Sequence, residues 1–320
     1  MIRARYDSSV CLRDFGERTI KYAFHDIDGT HSLIRDWPPV MSIVLNDVIE
    51  RGLSEDFDSE ANCARLIGAA GTRPLPETDR FCVESAGLSA LTQMEWAIRR
   101  AVEEGAVHVD CDKAVNSEKA RRIFGGEERF DDLPDPPELA AMLAEKTPRL
   151  FRLYERVLNG YCRDRNLALA RQDQERFRVK GSMAFLQKLR DNGVKNYFVT
   201  GAVVEKGKGM YEEVEALGYS IGEGQMVEAI IGSSWEKKMP KDEIMRELLV
   251  QLDAKGEDVL VTGDGRSEIA AGADMGALTL SRLNPDADRQ RALHVKLGTC
   301  MIVTDFEDEA LDRVFFAGEG

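Results

Sequence analysis

The chain has 320 residues, enough for about two domains at roughly 150 residues each, with 43 basic against 57 acidic residues and a formal net charge of −14. That charge argues against a nucleic-acid polymer as partner, because phosphates would meet net repulsion. With 43% hydrophobic and 31% charged residues, the chain is expected to fold as a globular protein without a membrane span, since no apolar run nears the required ~20 residues.

The pattern predicts a strand over 20–25 (IKYAFH) that runs into an acidic, glycine-containing turn. Residues 32 to about 178 read differently, as long helical windows over 41–53, 79–104, 117–124, 137–145 and 149–163. Pro134, Pro136, Pro137 and Pro148 punctuate the last of these. From 183 onward strands and helices alternate. A helix over 183–192, closed by Gly193, is followed by a strand over 196–199 and a helix near 204–217. Then come a strand at 226–231, a helix at 241–252, a strand at 258–262 and a helix at 268–274. The series ends with a strand at 277–281, a helix near 287–297 and a strand at 300–304. Such alternation predicts an α/β fold, a doubly wound Rossmann-like parallel sheet core with an inserted all-helical domain. Chemistry is then expected at the carboxyl ends of the strands. The discontinuous core is expected over 1–31 and 179–320, the helical insert over 32–178.

Cysteines 11, 63, 82, 111, 162 and 300 are dispersed and form no CxxC pair. They read as reduced thiols, and the opening residues contain no apolar stretch of the secretory kind. A cytoplasmic location is the expectation.

Chemistry-bearing residues gather at the strand ends. Asp26-Ile27-Asp28-Gly29-Thr30 follows the first strand and puts two carboxylates on one side of an extended chain. One could act as a nucleophile while the other handles protons, and both could hold a hard cation. Alone, the pair reads equally well as a polar turn. The next strand ends in Thr200-Gly201, and another ends in Gly263-Asp264-Gly265 followed by Ser267-Glu268. Lys237, Lys238 and Lys241 stand before a helix.

Together, in this order, these residues resemble the motifs of the haloacid dehalogenase superfamily: DxDGT at Asp26–Thr30, the strand-end Thr200, a lysine opening a helix, and GDxxxE at Gly263, Asp264 and Glu268. Within it the phosphoglycolate-phosphatase-like group is the nearest likeness, through DGTHSLIR, KKM and GDGxxEI. The resemblance spans 20–31 and about 179–310. It implies a magnesium-dependent phosphatase in which Asp26 attacks phosphorus to form an aspartyl-phosphate. Asp28 would protonate the leaving alcohol and then take a proton from water. Magnesium (Mg2+) would be held by Asp26, the Asp28 carbonyl, Asp264 and Glu268, the last directly, through water or instead by orienting the lysine. Thr200 and Gly201 would hold phosphoryl oxygens. The spacing to Asp242 favours Lys238 as the motif lysine, with Lys241 as the alternate. An acid at position 28 favours phosphate esters over carbon–halogen or carbon–phosphorus bonds. The alternatives are a phosphomutase using the same intermediate and a non-catalytic small-molecule-binding protein.

The superfamily places its lids in either of two gaps. Here Thr200 lies 170 positions beyond Thr30 and Lys238 only 38 beyond Thr200, so the helical insert is of the first-gap type. It is expected to act as a lid hinged near 31–38 and 178–181, and its size leaves room for a further interface, such as that of a homodimer. Candidate contacts to a small phosphorylated metabolite are Arg35 and Arg73, each of which reads equally well as a surface arginine. His31 could also enter the pocket, though a structural role is the simpler reading. Arg149, Arg152 and Arg156 read as a solvated helix face. The run His108–Asp112 has ligand-type side chains but no second half of a zinc site, and Phe151, Tyr154 and Tyr161 read as core of the insert.

Overall fold

The computed structural model describes residues 1–34, 36–235 and 237–317. Two compact units divide the chain. One comprises Met1–Ile34, Leu167–Ser233 and Met239–Gly320; the other comprises Arg35–Asn166 and Ser234–Lys238.

The first unit is built on parallel strands. A small antiparallel pair, β1 (Ile2–Arg5) and β2 (Glu17–Ile20), leads into β3 (Tyr22–His25). Five strands follow: β4 (Lys195–Glu205), β5 (Ala229–Ser233), β6 (Val259–Gly263), β7 (Leu278–Arg282) and β8 (Met301–Val303). Among the described residues they form a six-stranded, wholly parallel sheet in the order β5-β4-β3-β6-β7-β8. Both faces are covered, as a parallel sheet requires. Ala23, Leu260 and Leu278 point into one apolar cluster with Phe185, Leu189 and Phe306. Their neighbours Phe24, Val259 and Val261 point into another with Ile244, Met245 and Leu248. The chain leaves β3 towards β4 and β5, then returns to β3's other side as β6. This reversal opens a crevice at the carboxyl ends of β3 and β6.

Residues 167–178 group with this unit, because Leu167 and Ala170 are buried with Leu186, Phe198 and Val214. β4 continues to Glu205 rather than ending at Val199. The run Ala202-Val203-Val204 favours extended backbone, Gly207 turns the chain at φ +76°, and the helix starts only at Gly209.

The second unit is helical: Pro38–Arg51, Glu60–Ala69, Pro76–Glu84, Ala90–Glu103, Lys113–Phe124 and Pro137–Leu158. The helix expected over 79–104 is two helices, broken where Gly87 adopts φ +96°. Conversely, Pro148 does not split the last helix. It lacks a donor to the preceding turn, but Leu143, Leu150, Phe151 and Leu153 are buried on both sides of it and keep the helix continuous. The helix Glu60–Ala69, capped by Ser59 Oγ accepting from the Asn62 amide at 3.3 Å, is absent from the sequence-based expectation. No helix among the described residues is long and apolar enough to cross a membrane.

Candidate active site

Strand register brings the site together. His25 pairs with Thr262 across β3 and β6, and the Asp26 amide donates to the Thr262 carbonyl at 2.8 Å. Asp26 therefore leaves the sheet beside Gly263, one residue short of Asp264. The following loop winds around one acceptor: the amides of Thr30, His31 and Ser32 all donate to the Ile27 carbonyl, at 3.2, 2.9 and 2.9 Å. Gly29 sits at φ +77°, and a Cβ there would fall 1.9 Å from Asp264 Oδ2. Only glycine fits both the backbone and the approach of that carboxylate.

Asp26 is 5% exposed and held at both oxygens. Oδ1 accepts from Lys241 Nζ at 2.5 Å, and Oδ2 accepts from Thr30 Oγ1 at 3.2 Å. Lys241 opens the helix Lys241–Gln251 just after Pro240 and is itself buried, which aims its amine inward. Its second partner is Glu268 Oε2 at 3.1 Å. Glu268 is fully buried in the first turn of the helix Arg266–Asp274. It accepts from the Gly265 amide at 2.5 Å through Oε1 and from Ser267 Oγ at 2.9 Å through Oε2. Asp28 is partly exposed in the turn.

Burial pushes the Asp26 carboxyl up to about 7, against the pull of Lys241 and with the charges of Glu268 and Asp28 adding to the rise. Burial opposes the charge of Lys241, but Asp26 and Glu268 outweigh it and hold the amine above its ordinary range. Against its own burial, Glu268 is held below the usual carboxylate range by Lys241 and its hydrogen bonds. Lys241 thus pairs with both carboxylates, and burial makes Asp26 the one whose charge a further cation would support. Asp26, Asp264 and Glu268 can each offer an oxygen within 4.8 Å of the others. Three hard oxygen donors, with a glycine making room for one of them, fit a divalent metal.

Thr200 is buried in β4 at the same sheet edge, where the β4–β5 register shifts between Val199 and Val203. Its Oγ1 accepts from the Ala202 amide at 3.2 Å, and Gly201 beside it is buried.

The expectation that Lys238 is the lysine at Asp26 is corrected. Lys241, the alternate, occupies that place, because the helix begins at position 241 and turns that side chain inward. Lys238 belongs to the helical unit, where it donates to Glu95 Oε2 at 3.0 Å. Arg73 lies in the helical unit too, over half exposed and 3.8 Å from Glu50, beside a cavity of about 480 Å³ lined also by Pro38, Pro39 and Asp79. Arg35 lies outside the described residues. The arginine series of the long helix is not simply solvated. Arg149 makes two bonds to Asp58, at 2.9 and 2.8 Å, Arg152 lies 4.5 Å over the Trp235 ring, and Arg156 pairs with Glu60 at 2.6 Å. Asp112 caps the helix Lys113–Phe124 by accepting from Ala114 and Val115.

Two positioning groups have no counterpart in the sequence-based site. Thr30 lay in view within the motif but without a role. Arg282, at the end of β7 and 8% exposed, donates from Nη1 to the Gly29 carbonyl at 3.0 Å and from Nε to the Thr304 carbonyl at 2.9 Å. Its only sequence signal is an arginine closing an apolar strand.

No family model matches the chain, and no curated protein matches it. Solved structures similar to it include a HAD family hydrolase from Deinococcus radiodurans R1 with bound phosphate and sodium. That match is 17% identical, covers 93% of this chain and 97% of the other, and has a TM-score of 0.43. A beta-phosphoglucomutase from Clostridium difficile is 13% identical over 92% of this chain and 96% of that one, at TM-score 0.47. A hydrolase from Pseudomonas syringae is 16% identical over 92% and 99%, at TM-score 0.48. In the order of its motifs the chain resembles the haloacid dehalogenase superfamily.

Proposed function

We propose that this protein is a phosphatase acting on a small phosphorylated metabolite, with a sugar phosphate as the preferred class. The observation that carries the reading is the buried Lys241 amine between Asp26 and Glu268, with Asp264 brought against Gly29. A carboxylate at a sheet edge, held by a cation at one oxygen and a hydroxyl at the other, is oriented to attack phosphorus. An Asp26 oxygen forms the bond to phosphorus as the ester P–O bond breaks, and Asp28 gives its proton to the departing alkoxide. Asp28 then takes a proton from water as that water's oxygen attacks phosphorus, releasing inorganic phosphate and restoring Asp26. Thr200 Oγ1 and the amides that follow it suit phosphoryl oxygens. Lys241 offsets charge spreading over the transferring group.

Asp26 and Asp264 would hold a magnesium ion, with the Asp28 carbonyl as a further donor. Glu268, which accepts from Lys241 Nζ through Oε2 and from the Gly265 amide through Oε1, orients Lys241 and would stand within reach of the ion as a further oxygen donor. When bound, the ion neutralises charge on the phosphoryl oxygens. Phosphate release from a panel of phosphorylated metabolites, with and without magnesium, tests the reading. Turnover should appear with magnesium and vanish in Asp26→Asn. Isomerisation of a sugar phosphate without net phosphate release would replace hydrolysis by phosphomutase chemistry.

A further inference from the structure

His25 immediately precedes Asp26 and His31 immediately follows Thr30, so the two bracket the loop that carries the carboxylates. Their rings meet: His31 Nε2 lies 3.1 Å from His25 Nδ1, and both side chains are fully buried. The proton order along this contact follows from its far end. Asn196 donates both protons of its amide nitrogen, to the Leu186 carbonyl at 3.1 Å and the Met226 carbonyl at 3.0 Å. Its oxygen is left facing His25 Nε2 at 3.2 Å. An amide oxygen only accepts, so His25 carries its proton on Nε2.

Both rings are fully buried and hydrogen-bond only to neutral groups, an amide, a hydroxyl and one another, so each is neutral and carries one proton. His25 Nδ1 is then a lone pair, and His31 Nε2 must be the donor to it. His31 Nδ1 is in turn an acceptor, at 2.6 Å from Ser182 Oγ, and Ser182 lies 2.6 Å from the Tyr219 hydroxyl. The bonds from Ser182 to Asn196 therefore run in one direction, and the Tyr219 hydroxyl, 3.2 Å from the His31 carbonyl to which it donates, closes the other end. Packing fixes the rings as well. His31 stacks on Phe306 with centroids 4.8 Å apart and 5° between planes, and lies 5.2 Å from Phe198.

We propose that His25 and His31 form a clasp across the base of the Asp26–Thr30 loop and act as positioning residues for Asp26. The inference rests on the phosphatase reading for its kinetic consequence but not for its structure. A small displacement of a nucleophile lowers the chemical step by about tenfold to a hundredfold while leaving binding nearly unchanged. His31→Phe keeps the stacked ring and deletes both hydrogen bonds. His31→Gln places an amide N–H near the position of Nε2 and restores the donor to His25.

The full-length protein, labelled with 15N at its four histidines, would be examined by long-range 1H–15N correlation at pH 7. Both buried rings should show the Nε2–H tautomer. A proton on Nδ1 of either overturns the clasp, whether or not any variant folds. With p-nitrophenyl phosphate and magnesium, His31→Phe should lose about tenfold to a hundredfold in kcat with KM within about twofold, and His31→Gln should recover most of the loss. A His31→Phe rate equal to wild type overturns the inference alone. A wild type that releases no phosphate from any ester overturns the activity alone, and the tautomers still decide the clasp.

Discussion

Lys241 Nζ bridges Asp26 Oδ1 at 2.5 Å and Glu268 Oε2 at 3.1 Å, with all three side chains buried. One cation thus answers two carboxylates in a setting with little water, and removing it would leave both charges without their shared partner. Lys241→Met should lower kcat by about 10³-fold and cost about 3–5 kcal/mol of stability, read from phosphate release and urea unfolding. Lys238→Ala should stay within about threefold of wild-type kcat. Its partner Glu95 keeps Arg99 at 2.7 Å, so its stability should fall by only about 1 kcal/mol.

Gly29 is strained for any other residue and crowded by Asp264. Gly29→Ala should cost about 1–2 kcal/mol from the backbone alone, and more from displacement of the carboxylate. Magnesium affinity, measured by calorimetry, should weaken by at least about tenfold, because the added methyl pushes a hard ligand away.

Arg282 ties the Gly29 carbonyl to the end of β8 through Thr304. Arg282→Ala leaves two carbonyls to find new donors, at about 1–3 kcal/mol each where they stay buried. A kcat loss of about tenfold or more is expected as the loop loosens. Arg282→Lys, which can reach one carbonyl but not both, should fall between.

The histidines impose a pH dependence on stability. His25 titrates near 6.5 in the unfolded chain and at about 4 when folded. Below 6.5 the unfolded state binds the proton first. The stabilisation is therefore present above 6.5 and lost as pH falls towards 4, by about 3 kcal/mol in all. Asp26 acts in the opposite sense, since its raised pKa makes the folded state the stronger proton binder between 3.8 and about 7. The comparison is best made between wild type and His25→Gln, both of which contain Asp26. Urea midpoints should show the wild type losing ground to the variant as pH drops from 6.5 to 4.

Metal removal offers a direct check. EDTA should abolish phosphate release, and added magnesium should restore it without refolding. Full turnover in EDTA would remove the ion from the reading.

Much of the sheet unit was legible because its strands are short apolar runs ended by glycine and acid, and parallel pairing then brings those ends together whatever lies between. Asp26, Thr200 and Asp264 could be placed from that alone. The lysine could not. Positions 238 and 241 differ by three residues, and the side chain that turns inward depends on where the helix starts, which Pro240 sets. The helical unit was harder still. Pro148 reads as a break, yet the packing of Leu143, Leu150 and Phe151 overrides it, whereas Gly87 breaks a pattern that periodicity carries straight through. Arg282 and the histidine clasp are tertiary contacts. Nothing local to Ser281-Arg282 or to His31 indicates which carbonyl or ring will lie opposite.

The helical unit also draws on Ser234–Lys238, far along the chain from Arg35–Asn166. Trp235 of that short stretch lies 5.6 Å from the Phe151 ring and beneath Arg152, and Lys238 meets Glu95. The unit is consequently not a cassette. A graft that moved 35–166 onto another scaffold would leave behind an aromatic anchor and a partly exposed counter-charge. A deletion of the same span would strand Trp235 without its neighbours. Recombination between relatives would therefore need to exchange both stretches at once, which makes this insert harder to trade than its single insertion point suggests.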